Sequence, residues 1–174
     1  DTDDCGVCSG GNADMDCDGV CFGYAYEDDC SICDADPAND CVQYSIALDD
    51  IDLVSFFALP EESAVFNMFS EIEDYYPRIL GEGTSAGYIN GMWMGTLLEI
   101  EPEDGYWIRL CEECSTDLYI VGFLTDPGME YSLDDGSNLI SYPFAGSSPI
   151  EETIPDDAQG SIDAILGEGT AALN

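Results

Sequence analysis

The chain has 174 residues, 38 Asp and Glu, two basic residues (Arg78 and Arg109), no Lys and no His, for a formal net charge of −36. That balance excludes nucleic acid and anionic membrane surfaces as natural partners, because both are bound through Lys and Arg, and it removes most residues used in acid–base and nucleophilic catalysis. Apolar residues make up 45%, enough for a core, yet no apolar run reaches the about 18 residues of a membrane span.

Self-repulsion at this charge density opposes compaction, and bound divalent cations are the expected offset. Seven of nine cysteines lie in the first 41 residues: Cys5, Cys8, Cys17, Cys21, Cys30, Cys33 and Cys41. Asp fills the gaps between them and His is absent, so disulfides in an extracellular compartment are expected rather than zinc or iron–sulfur. Asp3-Asp4-Cys5-Gly-Val-Cys8 recurs as Asp28-Asp29-Cys30-Ser-Ile-Cys33, an offset of 25. Spacings of nine, nine and eight suggest Cys8–Cys17, Cys21–Cys30 and Cys33–Cys41, leaving Cys5 free, paired between chains, or the mark of an upstream truncation. No leader segment is visible, and the opening Asp-Thr-Asp-Asp is read as a mature or excised form.

Calcium is the expected cofactor. Asp14-Met-Asp16-Cys-Asp18-Gly19 is a D-x-D-x-D-G run, in which alternate carboxylates converge on one turn and Gly supplies the bend. Further candidate ligands are Asp34, Asp36, Asn39 and Asp40, and the cluster at Asp1, Asp3 and Asp4 with its echo at Asp28 and Asp29. These residues resemble thrombospondin type 3 calcium repeats, and more closely the short Asp/Cys/Gly repeats of secreted multidomain bacterial proteins. The resemblance covers about residues 1–41. It implies a calcium-threaded, disulfide-stapled spacer.

The remainder carries a second repeat. Leu53-Val-Ser-Phe56 returns as Leu139-Ile-Ser-Tyr142, and Ile79-Leu-Gly-Glu-Gly-Thr84 as Ile165-Leu-Gly-Glu-Gly-Thr170, both at offset 86. In the first copy, residues 51–58 read as a strand and Pro60 opens a helix through about Ile72, with Val65, Met68, Phe69 and Ile72 on its buried face. Strands are expected near 77–81, 86–89, 92–100 and 105–111, then a hairpin of 117–124 and 129–133 turning at Asp126-Pro-Gly128. The second copy starts near 137, is looser from Pro149 to Ala158, and lacks counterparts of the strands bearing Trp93 and Trp107. Such a unit is expected to expose an unpaired edge. The fold expectation is therefore mainly β with one or two short helices: residues 1–43 a Cys/Asp-rich calcium segment, 44–136 a β-rich module, and 137–174 its incomplete second copy. Val54-Ser-Phe56, Trp93-Met-Gly-Thr-Leu97 and Gly105-Tyr-Trp-Ile108 resemble tandem modules of secreted multidomain bacterial surface proteins. That resemblance implies no catalytic residues.

Other constellations read as structural. The two Gly-Glu-Gly segments lack the Lys and glycine spacing of phosphate loops and read as turns. Cys111-Glu-Glu-Cys114 has redox spacing, but two Glu between the sulfurs favour a structural disulfide. Trp93, Tyr106 and Trp107 are candidates for a glycan platform or an interface, against a plain role in the core. No N-x-Ser/Thr sequon occurs. The expectation is a non-enzymatic, extracellular subunit of a fibre or surface appendage, joined head to tail to further copies of itself by strand addition. The alternative is a carbohydrate-binding or adhesion module that binds glycans or a cell surface. A glycosidase is a third, less favoured reading, because no set of catalytic roles is assembled.

Overall fold

The computed structural model describes residues 1–37, 39–126 and 128–173. It is mainly β, as expected. In chain order its strands are β1 (Tyr26–Glu27), β2 (Cys33–Asp34), β3 (Cys41–Leu48), β4 (Ile51–Val54), β5 (Ala58–Leu59), β6 (Arg78–Leu80), β7 (Ser85–Ile89), β8 (Met92–Gly95), β9 (Tyr106–Arg109), β10 (Thr116–Leu124), β11 (Ala164–Gly167) and β12 (Thr170–Leu173). Helical segments are α1 (Val65–Met68), a 3-10 turn over Ser70–Tyr75, α2 (Ile150–Thr153) and α3 (Asp156–Gln159).

Two antiparallel sheets enclose one core. The larger has the order β4-β9-β6-β7-β8 and the smaller β3-β10-β5. Between them pack Phe56, Phe69, Ile72, Ile79, Tyr106, Ile108 and Leu118, each under 2% exposed. Phe56 sits where the chain crosses from one sheet to the other, with Phe69 at 6.3 Å and Tyr106 at 6.2 Å between ring centroids. This crossing splits the expected 51–58 strand into β4 and β5.

β3 is a strand beyond those expected, and the boundary expected at residue 43 falls inside it. Val42, Tyr44, Ile46 and Leu48 alternate with exposed positions, a period of two that marks a half-buried strand. It pairs with β10 over its whole length, from Thr116↔Leu48 to Phe123↔Cys41. Gly122 is needed there, because a Cβ would overlap the backbone of Leu59 on β5.

Other expectations need correction. Residues 60–64 are not helical. Val65 donates its N–H to Leu98 O at 2.9 Å and Ile100 donates to Ser63 O at 2.9 Å, so an extended pairing holds this stretch until α1 begins. The 92–100 strand ends at Gly95 (φ 146°), where Thr96 and Leu97 both donate to Ser85 O. Residues 129–133 form no strand, since β5 and β3 already occupy both sides of β10. The hairpin turn expected at Asp126-Pro-Gly128 includes position 127, which lies outside the described residues. Residues 149–158 hold α2 and α3, begun at Pro149 and Pro155.

Candidate functional site

The front segment is built from three copies of one turn. The offset of 25 seen in the sequence is two steps, of 13 and 12 residues. The unrecognised middle copy is Asp16-Cys17-Asp18-Gly19-Val20-Cys21, in which Cys and Asp have exchanged places. Each copy opens on an Asp whose carboxylate accepts backbone N–H groups of its own turn and of the chain beyond. Asp3 accepts from Cys5 (3.1 Å), Val7 (2.8 Å) and Asn12 (3.0 Å). Asp16 accepts from Val20 (2.7 Å) and Ala25 (3.2 Å). Asp28 accepts from Cys30 (2.9 Å), Ile32 (2.8 Å) and Cys41 (2.9 Å). The bonds from Cys41 and Ile32 hold the Asp28 carboxyl below its ordinary range. Asp3, Asp16 and Asp28 also donate their own N–H to Val7, Val20 and Ile32, and the register Thr2↔Cys8, Met15↔Cys21, Glu27↔Cys33 is common to all three. A Cβ at Gly10 or Gly23 would overlap the carboxylate of Asp3 or Asp16, so these two positions require glycine.

This geometry corrects the pairing drawn from spacing. The disulfides are Cys5–Cys21, Cys17–Cys33 and Cys30–Cys41, and Cys8 rather than Cys5 is the free, exposed thiol. The physical reason is that each turn is closed by its carboxylate. The last cysteine of a turn therefore reaches back to the preceding turn, at separations of 16 and 16 residues. Cys30–Cys41 staples the ladder to the buried start of β3. Cys111–Cys114 is a disulfide across a turn, as expected.

The carboxylates expected to gather around calcium are spread along the ladder. Asp14 and Asp18 are exposed, whereas both Asp16 oxygens face backbone N–H groups. Asp34 accepts from Asp36 N–H (2.8 Å) and Asn39 Nδ2 (2.9 Å). Asp40 accepts from the Tyr26 hydroxyl, and this bond is the main cause that pushes the phenol up to about 12. Asp29 accepts from Gln43 N–H at 2.9 Å. Among the described residues no three Asp, Glu, Cys or His side chains converge to hold an ion.

Carboxylates also seal sheet edges. Asp28 and Asp29 take the N–H groups of Cys41 and Gln43 on the outer side of β3. Glu168, in the β11–β12 turn, accepts from Leu53 N–H at 3.2 Å on the outer side of β4. Its counterpart Glu82, 86 residues earlier, accepts from Leu139 N–H at 2.8 Å, and Leu139 is the counterpart of Leu53. Each Gly-Glu-Gly turn thus binds the opening Leu of the other repeated segment, on β4 in one case and in an irregular stretch beside the Ile140 bridge in the other. The hairpins share their register as well: Ile79↔Ala86 and Leu80↔Ser85 in one, Ile165↔Ala172 and Leu166↔Ala171 in the other.

The surroundings of the two hairpins differ. On its second side β6 pairs with β9, through Arg78↔Arg109 and Leu80↔Trp107. β11 pairs with β12 alone among the described residues, and Leu166 is 71% exposed. Gly81 N–H closes the first hairpin on Thr84 O, so alternation turns Leu80 N–H toward β9. The same register turns Leu166 N–H to the open side.

The aromatic candidates face in different directions. Tyr106 is fully buried and accepts from Glu101 N–H at 2.8 Å, which removes it from any surface platform. Trp93 packs on Phe69 and Tyr88, with Nε1–H donating to Glu73 at 2.9 Å. Trp107 is half-buried on the outer face of the larger sheet, beside Leu53 and Leu80. No described helix is long and apolar enough to cross a membrane. Comparison with protein-family models, curated proteins and solved structures finds no match.

Proposed function

We propose that the chain is a non-enzymatic structural subunit of an extracellular fibre or surface appendage, joined head to tail by strand addition. The observation that carries this reading is the open side of β11, set against the fully paired β6 that it duplicates. An isolated two-stranded hairpin is only marginally stable in water, and pairing with a further strand stabilises it. The strand offered by the next copy is β8, an edge of the larger sheet with no cap among the described residues, equal to β11 at four residues. A contact of unlike surfaces of this kind propagates into a filament unless its rotation closes a ring.

Four disulfides support an oxidising, extracellular setting. The ladder is the spacer that sets distance between copies. Calcium belongs to this reading as the counter-ion of the exposed carboxylates, Asp14 and Asp18 among them, because residues 1–41 hold twelve Asp or Glu and no basic residue. The alternative, a carbohydrate-binding or adhesion module, rests on Trp107, the one of the three aromatics on the outer sheet face. Saturable quenching of its fluorescence by a glycan would favour that reading.

Sedimentation velocity of the oxidised chain, in calcium and in excess chelator, tests the proposal beside Leu166→Pro, which removes an outward N–H without removing a hairpin bond. Large species in calcium that are lost in Leu166→Pro are expected. A wild-type monomer at every concentration contradicts strand addition.

A further inference from the structure

The outer face of the five-stranded sheet is unlike the rest of the surface. Cross-strand register carries one row straight across it: Ile51, Arg109, Arg78, Gly87 and Met94. The neighbouring row holds Leu53, Trp107, Leu80 and Ser85. Outward positions of a half-solvated antiparallel sheet are ordinarily polar. Here Ile51 and Leu80 are each 46% exposed and Met94 56%.

At the centre stand Arg78 and Arg109, direct cross-strand partners and the only basic residues against 38 acids. Like charges placed opposite one another in a sheet repel. Neither guanidinium meets a carboxylate among the described residues. The Arg78 stem lies along the strand beside it, with Cγ 3.6 Å from where a Gly87 Cβ would be. Two exposed cations thus occupy directly opposed positions on an apolar background. Such a face suits a partner that is both anionic and partly apolar.

We propose that the acidic ladder of a second copy docks on this face. The ladder carries the charge, twelve Asp or Glu without a base in residues 1–41. It also carries exposed apolar side chains, with Val20 52%, Phe22 64% and Tyr24 89% exposed. Copies of a chain at −36 repel in nearly every orientation, and placing the ladder on the two Arg side chains is the arrangement that brings opposite charges together. The contact joins unlike surfaces, so it propagates with the same polarity as strand addition. The inference rests on the self-assembly proposed above and uses a sheet face rather than a strand edge, so separate variants address the two.

The test is the self-association constant of the oxidised full chain, by sedimentation equilibrium, for wild type, R78Q/R109Q, R78K/R109K and Leu166→Pro. Both Arg side chains are exposed, so these substitutions are expected to fold normally. R78Q/R109Q is expected to weaken association about tenfold or more, while R78K/R109K keeps most of it. A photo-reactive benzoylphenylalanine in place of Leu80 is expected to attach to residues 14–26 of an isotopically distinct copy. Association unchanged in R78Q/R109Q but lost in Leu166→Pro overturns the docking face and leaves the fibre reading standing. Loss in R78Q/R109Q with no effect of Leu166→Pro supports the docking face and removes strand addition. A wild-type monomer overturns both.

Discussion

The ladder and the β domain solve the same problem with opposite means. In residues 1–37, 39 and 40 no side chain is buried, and three disulfides with three carboxylate-closed turns hold the chain. The β domain closes around a shared apolar core between two sheets. What the regions share is the use made of acid. Asp3, Asp16 and Asp28 organise turns, Asp28 and Asp29 seal β3, and Glu82 and Glu168 bind the two repeat copies to each other. A carboxylate facing an outward N–H both satisfies the donor and blocks strand pairing. Most of the negative charge is therefore solvated surface, but a defined subset is structural.

The sharpest way to separate the regions is reduction. Losing a native disulfide costs a small unit about 2–5 kcal/mol, and the ladder has no core to fall back on. Strong thiol reductant is expected to bring ladder amides to unprotected hydrogen-exchange rates while those of β6, β9 and β10 stay protected. Phe56→Ala addresses the other region. It removes an aromatic from the centre of the core and is expected to cost about 3–5 kcal/mol, read as a lower unfolding midpoint with the ladder's disulfides intact.

A smaller effect tests the carboxylate turns. Asp16→Ala is expected to release the amides of Val20 and Ala25 to exchange, whereas Asp18→Ala leaves them protected. Equal protection in both variants would place the turn's stability in the disulfides alone.

The smallest effect is on pH dependence, and its sign differs between the regions. Burial, reinforced by Glu103 and other acids, raises the Glu101 and Asp104 carboxyls. Their charge opposes folding at neutral pH. Protonation relieves this, so the domain gains stability as pH falls through their raised values. Asp28 is lowered instead, so its contribution is present above its unfolded value and is lost as pH falls through the folded one. Mild acid is expected to raise the domain's melting temperature, and stronger acid to loosen the third turn, followed by exchange at Cys41 and Ile32.

Much of this was legible in the sequence. Periodicity located most strands of the larger sheet, and the offset of 86 marked two hairpins whose registers coincide. The Cys-x-x-Cys disulfide followed from the acids between its sulfurs. The ladder pairing was not legible, because equal loop lengths ignore which turn each cysteine belongs to. The exchange of Cys17 and Asp18 also hid the middle copy. The helix expected from Pro60 starts only at Val65, with Val65, Met68, Phe69 and Ile72 buried as expected, because residues 98–100 capture the backbone of 63–65, a long-range pairing that no local pattern encodes. The adjacency of Arg78 and Arg109 is equally non-local: only register brings them together.

Residue-level hydrogen exchange on assembled and monomeric fractions tests strand addition most directly. The account predicts that the amides of Ala164 and Leu166 are protected in the assembled fraction alone, while those of Ile165 and Gly167, directed into the hairpin, change little. Equal exchange of Ala164 and Leu166 in both fractions would show that copies join elsewhere, and it would contradict the fibre built through β11.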